Sequence, residues 1–329
     1  MRRLETSFAG LKLKNPFIVS SSGLTSTPEK NKKWEDAGAS AVVLKSLFQE
    51  EIEEESLCMQ HGMHSEEMDY LLQFNRGHRL NEYIRLITET KERCTIPVIA
   101  SINCFQSTEW TNFARHICEA GADALELNIM DVQTEVAYEY GAYERKHIEI
   151  LNRVRRYVRL PIIVKLGMNL TNPVALVSQL YANGASAVVM FNHPYRPDIQ
   201  IENLSFYAGE MWTRPSDICD ALRWVGISSA LVPHMDYAIS GGVHDGWNTV
   251  KAILSGASAV EVCTTIFWNG SQRIQVMIEQ LQQWMSEHGY ESISQFMGRM
   301  NQNAEEGHHL YQRTQFMKYF SGYKGKGKM

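Results

Sequence analysis

Short apolar runs alternate along the chain with longer stretches in which apolar residues recur every three or four positions. The runs are Phe17–Ser21, Ala41–Lys45, Pro97–Ser101, Ala124–Asn128, Ile162–Lys165, Ala187–Phe191, Tyr237–Ser240 and Ala259–Cys263. Runs this short and this apolar read as strands buried on both faces. Helical periodicity fills Glu29–Ala37, Glu109–Ala120, Tyr143–Val158, Pro173–Ala182, Pro215–Val225, Asp245–Leu254 and Ile274–His288. Strands and helices in this alternation predict an α/β fold, a closed (β/α)8 TIM barrel. The rival is an open doubly wound sheet, and no GxGxxG or P-loop pattern supports it. The phrases AGAS, AGAD, NGAS and SGAS precede four of the runs. A glycine there ends a helix in a left-handed conformation, and the small residues after it let the chain turn into the next strand.

Length and composition narrow this picture. A chain of 329 residues that is 44% hydrophobic has ample material for a buried core, which excludes disorder. We expect one barrel over residues 1–303, with long insertions at about 47–93 and 193–231, and a helical and basic tail over 304–329. No apolar run approaches a membrane span, and the N-terminus lacks the apolar stretch of a secretory signal. A net charge of -5 argues against nucleic acid as a partner. The six cysteines form no CxxC pair and no zinc-ligand spacing, so the expectation is reduced thiols, no metal and a cytoplasmic location. The first insertion carries Glu50, Glu51, Glu53, Glu54 and Glu55, with no Lys or Arg between Lys45 and Arg76.

In such a barrel the chemistry sits where strands hand over to the following loops. Those positions hold Ser20, Ser21, Ser22 and Gly23, then Lys45 and Ser46, Ser101 and Asn103, and Asn128. Further along come Lys165, Asn192 and His193, Ser240, Gly241 and Gly242, and Cys263, Thr264 and Thr265. Amides and amines around one cavity make a ring of hydrogen-bond donors. Two lysines inside a barrel need a reason, because an unpaired buried ammonium is costly. A polyanionic or electron-accepting ligand is one reason. A Schiff-base nucleophile, Lys165 or Lys45, in a lyase or aldolase-type barrel is another. Gly241–Gly242 and the small residues after the last strand suggest a phosphate cradle.

These residues resemble the dihydroorotate dehydrogenase family and the related flavin domain of dihydropyrimidine dehydrogenase. The motifs are LKNPFIVSSSGL, VVLKS, ASINCFQSTEW, AGADALELN, IIVKLGMN, ISGGV and SGASAVEVCTTI, and the match covers roughly residues 5–300. The resemblance implies a barrel of the FMN-linked oxidoreductase type. It places Ser21, Ser22 and Gly23 along the flavin and its ribityl chain, and Lys45 and Ser46 near ring and substrate. Asn103, Asn128 and Asn192 fall on ring or substrate edges, and Lys165 near the pyrimidine end of the ring. Ser240, Gly241, Gly242, Cys263 and Thr264 fall at the phosphate. It implies hydride transfer between a pyrimidine-like CH–CH substrate and FMN, with a soluble electron acceptor or separate redox subunit, in a homodimer. A non-catalytic FMN-binding protein is the other alternative.

The substrate half departs from the family. After Leu127 and Asn128 the family reads Ser-Cys-Pro-Asn; here the chain reads Ile129, Met130, Asp131, Val132, Gln133. Asp131 stands in place of the cysteine base, and His193 is a second candidate for proton exchange. The family's substrate loop, expected within Gly62–Gly77, has no match. The acidic block would disfavour an anion such as orotate, so the expected substrate is one other than dihydroorotate, or one bound differently.

Overall fold

The computed structural model describes residues 2–58, 65–104 and 107–315. It is a closed parallel barrel. The strands are β1 (Phe17–Val19), β2 (Ala41–Val43), β3 (Val98–Asn103), β4 (Ala124–Ile129), β5 (Ile162–Leu166), β6 (Ala187–Met190), β7 (Asp236–Ser240) and β8 (Ala259–Val262). Each pairs in parallel with its neighbours, and the ring closes where Val260 and Glu261 of β8 meet Phe17 and Ile18 of β1. All eight predicted runs are strands, shifted by a residue or two at the ends. Gly38, Gly121, Gly184 and Gly256, the glycines of the four recurring phrases, all have positive φ, as the turn chemistry requires.

Side chains alternate along each strand, so every second residue faces the barrel axis. The lower interior is apolar: Ile18, Val43, Ile99, Ala124, Ile163, Val189, Ala238 and Ala259 form one buried cluster. An antiparallel hairpin of Thr6–Phe8 and Leu11–Leu13 closes that end, with Phe8, Ala9 and Leu13 joining the cluster. The same alternation, carried two residues onward, puts Ser20, Ser101, Glu126, Lys165, Ser240 and Glu261 in the next layer. Outside the barrel a second, larger core lies between strands and helices, including Trp34, Ile87, Trp110, Phe113, Leu151, Val225, Ile253 and Leu281.

The long connections have their own structure. After β2 a short strand, Leu47–Phe48, runs beside the end of β3. The helix Gln49–Cys58 follows, and Ser65–Arg93 is one helix of 29 residues. After β6 the chain forms an exposed hairpin, Pro197–Gln200 with Ser205–Ala208. Pro215–Asp217 is a short 3-10 turn, and the helix itself runs Ile218–Leu231, past the predicted end at Val225. The helix Gly307–Gln312 packs against it, and the Tyr311 hydroxyl donates to the Met300 carbonyl. No helix of the described residues is long and apolar enough to cross a membrane.

Candidate active site

The centre of the barrel holds charge. Lys165 on β5 is buried, and its Nζ lies 2.5 Å from Glu261 Oε2 on β8. It also donates to Ser20 Oγ at 3.1 Å, and Ser20 Oγ donates to the same Glu261 oxygen at 2.9 Å. Across the axis Glu126 on β4 accepts from Ser101 Oγ at 3.0 Å. Burial works against the Lys165 charge, yet the two glutamates outweigh it and hold the ammonium above its ordinary value. Burial also works to raise Glu261, but Lys165 dominates and holds that carboxyl below the usual range. Among the described residues Glu126 makes no ion pair, and Lys165, paired to Glu261, lowers it only in part. Burial and then the charge of Glu261 push it up to about 8.

This geometry corrects the reading of two lysines buried in the barrel. Lys165 fits it, but the reason for its burial is an internal carboxylate. Lys45 does not fit: strand β2 ends at Val43, the alternation stops there, and the Lys45 side chain is 42% exposed. Its Nζ lies 3.1 Å from both carboxylate oxygens of Glu51. The acidic helix thus partly neutralises itself against nearby cations, with Glu53 paired to Arg76 at 3.3 Å.

Above the charged layer sit the amides. Asn128 is in register with Lys165 on the neighbouring strand. Asn103 Nδ2 donates to the Asn128 carbonyl at 3.0 Å, and Asn192 Nδ2 donates to Asn128 Oδ1 at 2.9 Å. The three residues from β3, β4 and the end of β6 therefore hold one another at one rim. A serine chain borders them. Ser21 Oγ is 3.0 Å from Ser46 Oγ, which is 2.8 Å from Ser101 Oγ. The Tyr83 hydroxyl donates to the Ser101 carbonyl and accepts from its N–H. Ser22 caps the turn Gly23–Thr25, accepting from Leu24 N at 3.2 Å.

The opposite rim is built of backbone. Gly241 and Gly242 follow β7 with φ of 85° and 71°. Thr264 opens a short helix after Cys263, whose thiol burial pushes up. Thr213 joins the two segments: its Oγ1 lies 3.1 Å from Thr264 Oγ1 and 3.2 Å from Nε2 of His244, two residues after Gly242. The first amides of a helix have no partner within it, and two successive left-handed residues bare further N–H groups. Ser240 accepts from the Phe191 N–H at 3.3 Å through its carbonyl.

The two candidate proton carriers lie at the mouth. Asp131 Oδ2 is 2.8 Å from Lys146 Nζ and accepts from Gln133 Nε2 at 3.0 Å. Partial burial works to raise this carboxyl, but Lys146 outweighs it and holds Asp131 below its ordinary value. His193 Nε2 is 3.4 Å from the Glu210 carbonyl, and a small cleft of about 70 Å³ joins His193 and Asn192 with Ser240 and Gly241.

A family model described as dihydroorotate dehydrogenase matches residues 3–205. The chain belongs to the dihydroorotate dehydrogenase family. It is an oxidoreductase of that family. Over 310 residues it is 27% identical to the dihydroorotate dehydrogenase B (NAD(+)) catalytic subunit of Thermoplasma volcanium, covering 91% of this chain and 98% of that protein. Over 324 residues it is 25% identical to the NAD-dependent dihydropyrimidine dehydrogenase subunit PreA of Escherichia coli K12, covering 91% and 77%. The chloroplastic dihydropyrimidine dehydrogenase (NADP(+)) of Arabidopsis thaliana is 20% identical over 327 residues, covering 90% and 76%.

The family's substrate loop was expected, without a sequence match, within Gly62–Gly77. Of the stretch Gly62–Gly77, residues 62–64 lie outside the described residues, and from Ser65 onward the chain is helical. The sequence reading passed over two members of the charged layer, Glu126 in ALELN and Glu261 in AVEVC. The signal was present: Asn128 and Cys263 were named as strand-end residues, and each glutamate stands two positions earlier on the same face.

Proposed function

We propose that this chain is an FMN-dependent oxidoreductase that transfers a hydride between the CH–CH bond of a pyrimidine-like substrate and FMN. What carries this reading is one arrangement. The amide set of Asn103, Asn128 and Asn192 stands beside the buried, charged Lys165, and the glycine turn and Thr264 are joined through Thr213. The donor chemistry fits a ring with hydrogen-bonding edges and a phosphate. FMN, when bound, supplies the two-electron acceptor.

The protein's own residues then do the rest. Asn103, Asn128 and Asn192 orient ring or substrate edges. Lys165 keeps its proton and offers a fixed positive charge, so negative charge arising beside it is stabilised without reorganisation. Gly241, Gly242 and Thr264 offer backbone N–H groups to the phosphate, and Ser21, Ser22 and Gly23 border the chain between. A Schiff base at Lys165 is disfavoured, because an ammonium clamped by Glu261 is no nucleophile. Asp131, ionised against Lys146, is a weak base. We therefore assign proton exchange to His193 before Asp131. Reduced cofactor needs an acceptor, and relatives named as subunits of NAD-linked enzymes favour a separate redox subunit. A homodimer and a cytoplasmic location complete the reading.

The substrate we propose is a neutral dihydropyrimidine. Lys45, a cation at this rim, is already held by both oxygens of Glu51. Anaerobic titration of the FMN-loaded protein tests this by following loss of flavin absorbance. A neutral dihydropyrimidine is expected to bleach it at least tenfold faster than dihydroorotate. Faster bleaching by dihydroorotate overturns the substrate assignment. If neither these nor NADH and NADPH bleach it, the protein binds FMN without this catalysis.

A further inference from the structure

The charged layer contains two carboxyls and one cation, all removed from solvent. Glu126, Lys165 and Glu261 are 1%, 3% and 2% exposed. If both carboxyls were ionised, the layer would carry a net negative charge in a low-dielectric interior, at high cost. Glu126 on β4 and Glu261 on β8 share this one buried layer with Lys165, and each carboxyl acts directly on the other. Yet Glu126 Oε2 and Glu261 Oε1 are buried with no donor to either. Two acceptors placed together, each otherwise orphaned, are both satisfied by one proton between them.

We propose that Glu126 and Glu261 hold one shared proton, and that the hydroxyl chain Ser101–Ser46–Ser21 connects this store to the barrel mouth. The connection is continuous: Ser101 Oγ donates to Glu126 Oε1, and Ser46 and Ser21 follow at 2.8 Å and 3.0 Å. Ser20, Ser46 and Ser101 are buried, and Ser21 is half-buried at the mouth.

Proton movement balances along this chain. A proton from water enters at Ser21, and each hydroxyl passes on the one it held. Ser101 delivers to Glu126 Oε1 while Glu126 Oε2 hands the shared proton to Glu261 Oε1. Both carboxyls are then neutral, the layer gains one positive charge, and no oxidant is needed. Lys165, freed from the Glu261 charge, can balance an anion formed beside it. Only this last role rests on the FMN reading. Glu261 is in that sense a positioning residue, acting through Lys165. The other titratable groups facing the pair are Tyr83, from the long helix, and Cys263, at the end of β8. Burial pushes both above their ordinary values, so they stay protonated while the store titrates.

Infrared spectroscopy of the protein as purified tests the store without reference to activity. The expected result is a protonated-carboxyl C=O band at neutral pH that disappears as pH rises through about 8. Asp236, which burial also pushes up, is subtracted with Asp236→Asn. Glu126→Gln and Glu261→Gln should each remove the band, because the remaining glutamate then ionises against Lys165. Ser101→Ala should keep the band but slow its shift in D2O at least tenfold. Absence of the band at neutral pH in the unsubstituted protein overturns the store, even if the variants fail to fold. So does its survival in both glutamine variants. Unchanged exchange in Ser101→Ala overturns the hydroxyl path. A band in protein that binds no FMN would leave the store standing and reject only the cofactor reading.

Discussion

Replacing Lys165 by methionine is expected to destabilise the protein by about 3–5 kcal/mol at neutral pH, the range seen when one partner of a buried ion pair is removed. Methionine fills much of the same volume, so the loss is electrostatic rather than a cavity. Glu261, with the Lys165 ion pair gone, must either stay ionised without a partner or take up a proton. Its carboxyl pKa then rises above the unfolded value, so the variant's stability is fullest in acid and falls as pH increases. The native protein has the opposite dependence at this residue: Glu261 is held low, so its contribution is present above the unfolded pKa and is lost in acid. Denaturant titrations of both proteins at mildly acidic and mildly alkaline pH check this, with the difference expected to widen toward alkali. Adding Glu261→Gln to Lys165→Met should restore much of the stability, a coupling that a double-mutant cycle reads directly. A Lys165→Met protein as stable as the parent at alkaline pH would remove the ion pair from the account.

The second large effect is expected at Gly242. With φ at 71°, the backbone is in a region that only glycine adopts without strain. A Cβ there would stand 2.2 Å from Ile218 N and 2.9 Å from Asp217 C. These are backbone atoms at the start of the helix Ile218–Leu231, and they cannot swing aside. Gly242→Ala should therefore cost about 2–5 kcal/mol from left-handed strain and overpacking together. It should also displace the turn proposed to hold the phosphate, weakening FMN binding at least tenfold. Gly241→Ala is the control. Its Cβ would meet nothing closer than 3.9 Å, leaving the conformational cost alone. Thermal unfolding and FMN titration of both variants separate them; equal behaviour would contradict the close approach at Ile218.

The barrel was legible in the sequence because two independent signals coincide on it. A strand covered on both faces must be apolar along its length, and a helix that turns straight into the next strand needs a left-handed stop. Ala187–Met190 shows the first and Gly184 the second. Lys165 was equally visible, as the one charge in IIVKL. Glu126 and Glu261 went unread for the opposite reason. Each is a single carboxylate in a run otherwise identified as core, and only the two-residue alternation, counted back from Asn128 and Cys263, turns it inward. Lys45 misled because the alternation was extended past Val43, where the strand stops. The helix Ser65–Arg93 went unread although Leu80, Tyr83, Ile87 and Thr90 stand at helical spacing on one buried face; Gly77 and the acidic block upstream drew the eye away from that face. The two hairpins use strands of three or four residues, too short for their alternation to stand out. Ile199, Leu204 and Phe206 in the second hairpin are exposed, so burial leaves no pattern there.

In the proposed site the amide rim, the fixed ammonium of Lys165 and the glycine turn together form a seat for FMN. The most direct measurement is the visible absorption spectrum of the folded protein, as purified and after incubation with FMN and gel filtration. The expected result is a flavin spectrum that stays with the protein at one FMN per chain and is lost in Gly242→Ala. A well-folded protein that is colourless and retains no FMN would contradict it.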